Sequence, residues 1–307
     1  MEQPASGALY GPVDEWDVPL GGLQGQTRVM LGRTYLEAAV AEVRFVAGQR
    51  ELAEAAAAQV WEQLGTDKFP VFEPSSQVIM TVTITPSGAV PTQESQQGWL
   101  LATADRSTAI TLLPSLVVVQ TRDYQRYSTS LGEPLTKALA AFTAATGVSR
   151  VQRLGLRYVN RLTDADASAP GFWRDHIREE FAGPLRGTFA TLVAGAHQQV
   201  QLRLDETAGA RIQSGVFEEQ HASAGSRSQY GYLLDLDVFR EQASLYEPIR
   251  CANQVRQLNR TALALFAHVL SERYLAALNP VPTPPSTPQS DSAGQTSRPI
   301  TEGESRP

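Results

Sequence analysis

Arginine recurs at even spacing in Arg153-Leu-Gly-Leu-Arg-Tyr-Val-Asn-Arg161, a segment otherwise patterned like a buried strand. Side chains alternate across a strand, so Arg153, Arg157 and Arg161 share one face while Leu154, Leu156 and Tyr158 take the other. Guanidinium groups among apolar neighbours require carboxylates, phosphates or carbonyls opposite them. Two other apolar runs hold carboxylates that could serve. Leu36-Glu-Ala-Ala-Val-Ala-Glu-Val-Arg-Phe45 offers Glu42 beside Arg44, and Leu233-Leu-Asp-Leu-Asp-Val-Phe239 offers Asp235 and Asp237 on one face. With Asn160 from the arginine segment, the candidate polar cluster is Glu42, Arg44, Arg153, Arg157, Asn160, Arg161, Asp235 and Asp237.

Three chemistries fit such a cluster. The residues favour an internal ladder of ion pairs across neighbouring strands, in which losing one partner of a buried pair costs about 3–5 kcal/mol. The second is a pocket whose arginines grip a carboxylate or phosphate ligand in bidentate fashion. Both place the same side chains together. The third uses Gly225-Ser226 followed by Asp235 and Asp237, which resembles the polymerase-β type of nucleotidyltransferase, where two aspartates on a strand hold Mg²⁺. Here the spacing is short, Arg227–Tyr232 is a poor helix, and no third carboxylate is identifiable.

Other chemistry-bearing residues are sparse. His176, His197, His221 and His268 include no pair at helical metal-site spacing, so no metal site is expected. Cys251, the single cysteine, leaves no disulfide framework and reads as a buried structural thiol rather than an activated one. No phosphate loop, nucleophile elbow or dinucleotide fingerprint occurs, and no cofactor is expected.

The elements that must position these residues alternate along the chain. Strands are expected at Leu36–Phe45, Val78–Thr85, Gly98–Ala104, Thr108–Leu113 and Leu116–Thr121, with helices at Glu51–Leu64 and Pro134–Thr146. After the arginine strand come a helix near Gly171–Phe181 and a hairpin of Gln198–Leu204 with Arg211–Phe217 around Ala208-Gly209. A strand at Tyr230–Phe239 and a closing helix from Pro248 to Leu278 complete the order. Successive strands with few crossover helices imply an α+β fold: mostly antiparallel sheet packed by helices, ending in a long C-terminal helix. One domain is expected over 33–278, divisible into similar halves at 33–162 and 163–278. Residues 1–32 read as a flexible arm and 279–307, rich in Pro, Ser and Thr, as a disordered tail.

Formal net charge is −6, which argues against general nucleic-acid binding. No secretory signal or uninterrupted apolar run of membrane-spanning length appears, so a soluble, cytoplasmic protein without a membrane role is expected.

Read together, Glu37-Ala-Ala-Val-Ala-Glu-Val-Arg-Phe45, Trp99, Leu112-Leu-Pro-Ser-Leu116, Tyr127, the arginine segment and Leu234-Asp-Leu-Asp-Val238 resemble a sporadically distributed group of uncharacterised prokaryotic proteins. Its members share a Glu-Ala-x-x-Glu-(Ile/Val)-Arg-Phe opening strand, in which this chain carries one more residue between Ala38 and Glu42, and an Arg-x-Gly-Leu-Arg-Tyr-x-Asn-Arg centre, and the likeness spans about residues 33 to 278. The resemblance implies no activity or catalytic residue; the scattered distribution is compatible with mobile-element or defence loci. The expectation is therefore a non-enzymatic binding or assembly protein, with a protein partner or a small anionic ligand. The alternatives are a Mg²⁺-dependent nucleotidyl- or phosphoryl-transferase using Asp235 and Asp237, and a small-anion or lipid-like cavity between the sheet and the closing helix.

Overall fold

The computed structural model of the protein describes residues 30–31, 35–46, 51–85, 88–219, 228–278 and 280–281. In chain order the first elements are β1 (Met30–Leu31), β2 (Leu36–Phe45), α1 (Glu54–Leu64), β3 (Val71–Thr85), β4 (Gly88–Ala102), β5 (Thr108–Leu113), β6 (Leu116–Thr121) and α2 (Glu133–Thr146). There follow β7 (Arg150–Leu162), α3 (Glu179–Ala182), β8 (Ala196–Arg203), β9 (Ala208–Glu219), β10 (Gln229–Leu245), α4 (Pro248–Val269), α5 (Glu272–Ala277) and β11 (Pro280–Val281). Nine strands form one sheet in the order β3-β4-β5-β6-β2-β7-β10-β9-β8, antiparallel at every step. With its packed helices this is an α+β fold. Separately, β1 pairs with β11; the remainder of 1–32 and of 279–307 lies outside the described residues.

The two-residue period of each strand sorts the sheet into two unlike faces. One presents Ala39, Ala41, Val43 and Phe45 from β2, Leu154, Leu156, Tyr158 and Leu162 from β7, and Tyr232, Leu234, Leu236 and Val238 from β10, all buried. The helices pack here: α2 against α1 and β6, and α4 against β7 and β10. Leu135, Leu139 and Phe142 of α2 and Val255, Leu258, Ala262, Leu265 and Val269 of α4 supply the matching stripes. Gly147, at φ 72°, closes α2 in the left-handed conformation that a β-carbon disfavours.

Several boundaries differ from the sequence expectation, for identifiable reasons. Helix α1 starts at Glu54 because Glu51 and Leu52 are tied to β4, Leu52 N donating to Gln97 O. The expected helix near Gly171–Phe181 is instead a 3-10 turn over Pro170–Asp175 followed by the short α3. Backbone pairing intervenes: Ile177 bridges Leu270, Arg178 N donates to Val269 O, and Ser271 N donates to His176 O. The same contacts stop the closing helix at Val269, and Ser271 then caps α5 by accepting from Tyr274 N. Ala208-Gly209 belongs to β9 rather than to the turn, which Asp205 organises by accepting from the Thr207 and Ala208 amides. The hairpin of β3 and β4 is far longer than Val78–Thr85 with Gly98–Ala104 suggested.

Candidate functional site

Strand β7 lies between β2 and β10, so its arginines have acidic strands on both sides. Asp237 sits opposite Arg157, Glu241 opposite Arg153, and Glu42 opposite Gly155. That last pairing has a steric consequence. Because Gly155 has no side chain, the Arg153 head group can lie back over it; a β-carbon there would stand 2.5 Å from Arg153 Nη1.

Arg153 is the hub. Its Nη1 donates to Glu42 Oε1 at 2.7 Å, and its Nη2 reaches Asp237 Oδ2 at 3.3 Å. Its Nε lies 3.4 Å from Glu241, and its guanidinium sits 5.0 Å from the Phe239 ring centre. Glu42 also accepts from Arg44 Nε at 2.6 Å. One step along, Arg157 holds Asp235 with a two-point grip, Nε to Oδ1 at 2.8 Å and Nη2 to Oδ2 at 2.6 Å. The pair is asymmetric, with the Arg157 side chain 51% exposed and Asp235 only 7%.

Arg161 makes the same two-point contact with Glu219 of β9, at 3.1 and 2.7 Å, and lies 4.5 Å from the Phe217 ring centre. Sequence reasoning missed Glu219, Glu241 and the two phenylalanines. The alternation Arg211, Gln213, Gly215, Phe217, Glu219 on β9 was the available signal, because it continues the charged face by period two.

One expected member is misplaced. Asn160 has the parity of Tyr158 and points to the helix side, donating to the Leu234 carbonyl at 3.1 Å. The error comes from grouping residues by motif rather than by alternation. The other seven candidates do share the face opposite the helices.

The electrostatics are those of a self-neutralised array. Arg44, Arg153, Arg157 and Arg161 face Glu42, Asp235, Asp237, Glu219 and Glu241, and the field of Arg211 also acts on Asp237. Hydrogen bonding to Asp235 and Glu219 raises the pKa values of Arg157 and Arg161 respectively. Burial pushes the Asp237 carboxyl up, outweighing its guanidinium neighbours, because its contacts to Arg153 are long.

This arrangement bears on the chemistry. An anion entering the face would compete with carboxylates that already satisfy each arginine. A metal ion would have to displace Arg157 from both oxygens of Asp235. Among the described residues no group of three or more His, Cys, Asp or Glu is placed to hold a metal; Gly225-Ser226 and His221 lie outside them. Cavity chemistry fares no better. The cleft between the start of α4 and the sheet, lined by residues including Val151, Leu154, Arg240 and Cys251, encloses about 10 Å³, room for about one water.

Elsewhere, two of the histidines have structural partners. His176 bonds through Nδ1 to the Phe172 carbonyl and stacks on that ring, and His268 Nε2 lies 2.7 Å from Glu180. Cys251 is buried, and desolvation pushes its thiol up to about 12, so any activation by the helix terminus is overridden. No described helix is long and apolar enough to cross a membrane. Comparison with family models and with curated proteins finds no match for this chain.

Proposed function

We propose that this chain is a cytoplasmic, non-enzymatic binding or assembly protein of the prokaryotic group it resembles, and that it engages a protein partner through the sheet face opposite its helices. The observation that carries this reading is the ladder itself. Carboxylate pairing holds four arginines in fixed positions on a broad face, with Arg157 and Arg161 half-exposed and the Phe239 and Phe217 rings lying against Arg153 and Arg161. Arginine and aromatic side chains in fixed orientation are the residues that dominate protein recognition surfaces. A face whose charges are already paired discriminates by shape and by hydrogen bonding more than by net charge.

We further propose that the domain is built as two similar halves, dividing just before β7, at about residue 149, rather than at 162/163 as the sequence suggested. Supporting this, each opens with a strand (β2 or β7), passes through helical chain into a meander (β3 to β6, or β8 to β10), and closes with a helix (α2 or α4). In each, the last meander strand returns beside the first, β6 to β2 and β10 to β7. The two opening strands then pair antiparallel at the centre of the sheet, so the ladder straddles the junction.

The test is affinity capture from the native host with wild-type protein and with the paired variant Arg157→Gln/Asp235→Asn. That pair keeps a hydrogen bond while removing both charges and the guanidinium plane. A partner retained by wild type and lost by a folded variant supports the reading. Identical recovery from both proteins refutes it.

A further inference from the structure

The hairpin of β3 and β4 outgrows the sheet that carries it. The two strands pair from Val71↔Ala102 to Thr85↔Gly88 without a register shift, whereas β4 pairs with β5 only over Trp99–Ala102. Gln96 and Gln97 are still held by Ser115 and by the bridge to Glu51, so Val78–Thr85 and Gly88–Ser95 leave the sheet as a two-stranded arm, roughly 25 Å long at about 3.3 Å per residue. Such a ribbon is marginal by itself in water. Among the described residues no strand pairs with the outer edge of β3, which is one border of the nine-stranded sheet.

Proteins usually blunt a bare edge with charge, proline, a bulge or short length. At the other border β8 does so: it has eight residues, with His197 and Arg203 exposed. The arm strand has none of these devices. No Asp, Glu, Lys or Arg occurs from Pro74 through Gln93, and in Val78–Thr85 every residue except Met80 is β-branched. Val78, at the base of that run, is 54% exposed.

We infer that two copies of this chain join through the outer edges of their β3 arms, paired antiparallel about a two-fold axis into one continuous sheet. The neutrality of the edge selects this occupant. A foreign strand is ordinarily chosen by charges that reject wrong partners, and this edge offers none. Identical neutral edges meet no like-charge repulsion in any register, and β-branched residues facing one another across strands are favourable. Since each chain has one such border, the contact closes at two copies. The arm lies apart from the ladder face, so either proposal can fail without the other.

Sedimentation velocity on the full chain tests this. Wild type is expected at twice the 33.3 kDa chain mass. Thr81→Lys/Thr83→Lys, which sets like charges against each other, is expected to halve that mass. So is a shortened hairpin in which Asn-Gly replaces residues 79–94, leaving Val78 opposite Ser95. Circular dichroism confirms that each variant is folded. Cysteines introduced singly across Val78–Thr85 should form disulfide-linked dimers at alternate positions, the buried Cys251 being the chain's single native thiol. The Arg157→Gln/Asp235→Asn pair should leave the dimer intact. A monomeric wild type, a dimer that survives both arm variants, or open-ended assembly overturns the inference.

Discussion

Removing one or the other member of the Arg157–Asp235 pair should have very unequal consequences. Both oxygens of Asp235 are held by Arg157 at 2.8 and 2.6 Å, and the Asp235 side chain is only 7% exposed. Arg157→Ala therefore strands a carboxylate that water reaches poorly, and breaking such a pair costs about 3–5 kcal/mol. Because half of the arginine already meets solvent, water can enter where it leaves, which places the expected loss near the lower end, about 3 kcal/mol. Asp235→Asn leaves a half-exposed guanidinium that water can resolvate, together with an amide oxygen that still accepts, so about 1 kcal/mol is expected. The double variant Arg157→Ala/Asp235→Asn should recover about 1.5 kcal/mol relative to Arg157→Ala, roughly a tenfold change in the folding equilibrium. Urea denaturation at neutral pH measures all three, with an unchanged m-value as the check on two-state behaviour. If Asp235→Asn costs as much as Arg157→Ala, or if the double variant is the sum of the singles, the reasoning from asymmetric burial is wrong.

Two further outcomes follow from pKa shifts of known direction. Asp237 has its folded pKa raised above its ordinary value of 3.8 by burial, so its ionisation opposes folding. Below 3.8 that cost is absent; as pH rises from there through the raised folded value, wild type should lose stability relative to Asp237→Asn. Paired melting curves across mildly acidic pH test this, and a gap that narrows with rising pH contradicts it. Cys251, with its thiol at about 12, should resist thiol reagents in the folded chain at neutral pH and react promptly in denaturant. Rapid labelling of the native protein would falsify its placement in the core.

Local pattern carried much of this molecule. The period-two alternation in residues 153–161 assigned three arginines to one face and three large residues to the other, because facing is a property of the strand backbone itself. The helical stripe from Val255 to Val269 was readable in the same way, as was the helix stop at Gly147. Where the same rule was not applied, at Asn160, the assignment failed.

Pairing was a different matter. That Arg161 meets Glu219, that Arg157 reaches Asp235 rather than the Asp237 directly across from it, and that β2 and β7 meet at the middle of the sheet all depend on register between segments far apart in sequence. The break between α4 and α5 is similar: Ser271 carried a capping signal, but the bridge from Ile177 to Leu270 decided it. Which face a residue takes is set by its neighbours in the chain. Which residue it meets there is set by strand order and register, and these emerge only when distant segments compete for one core.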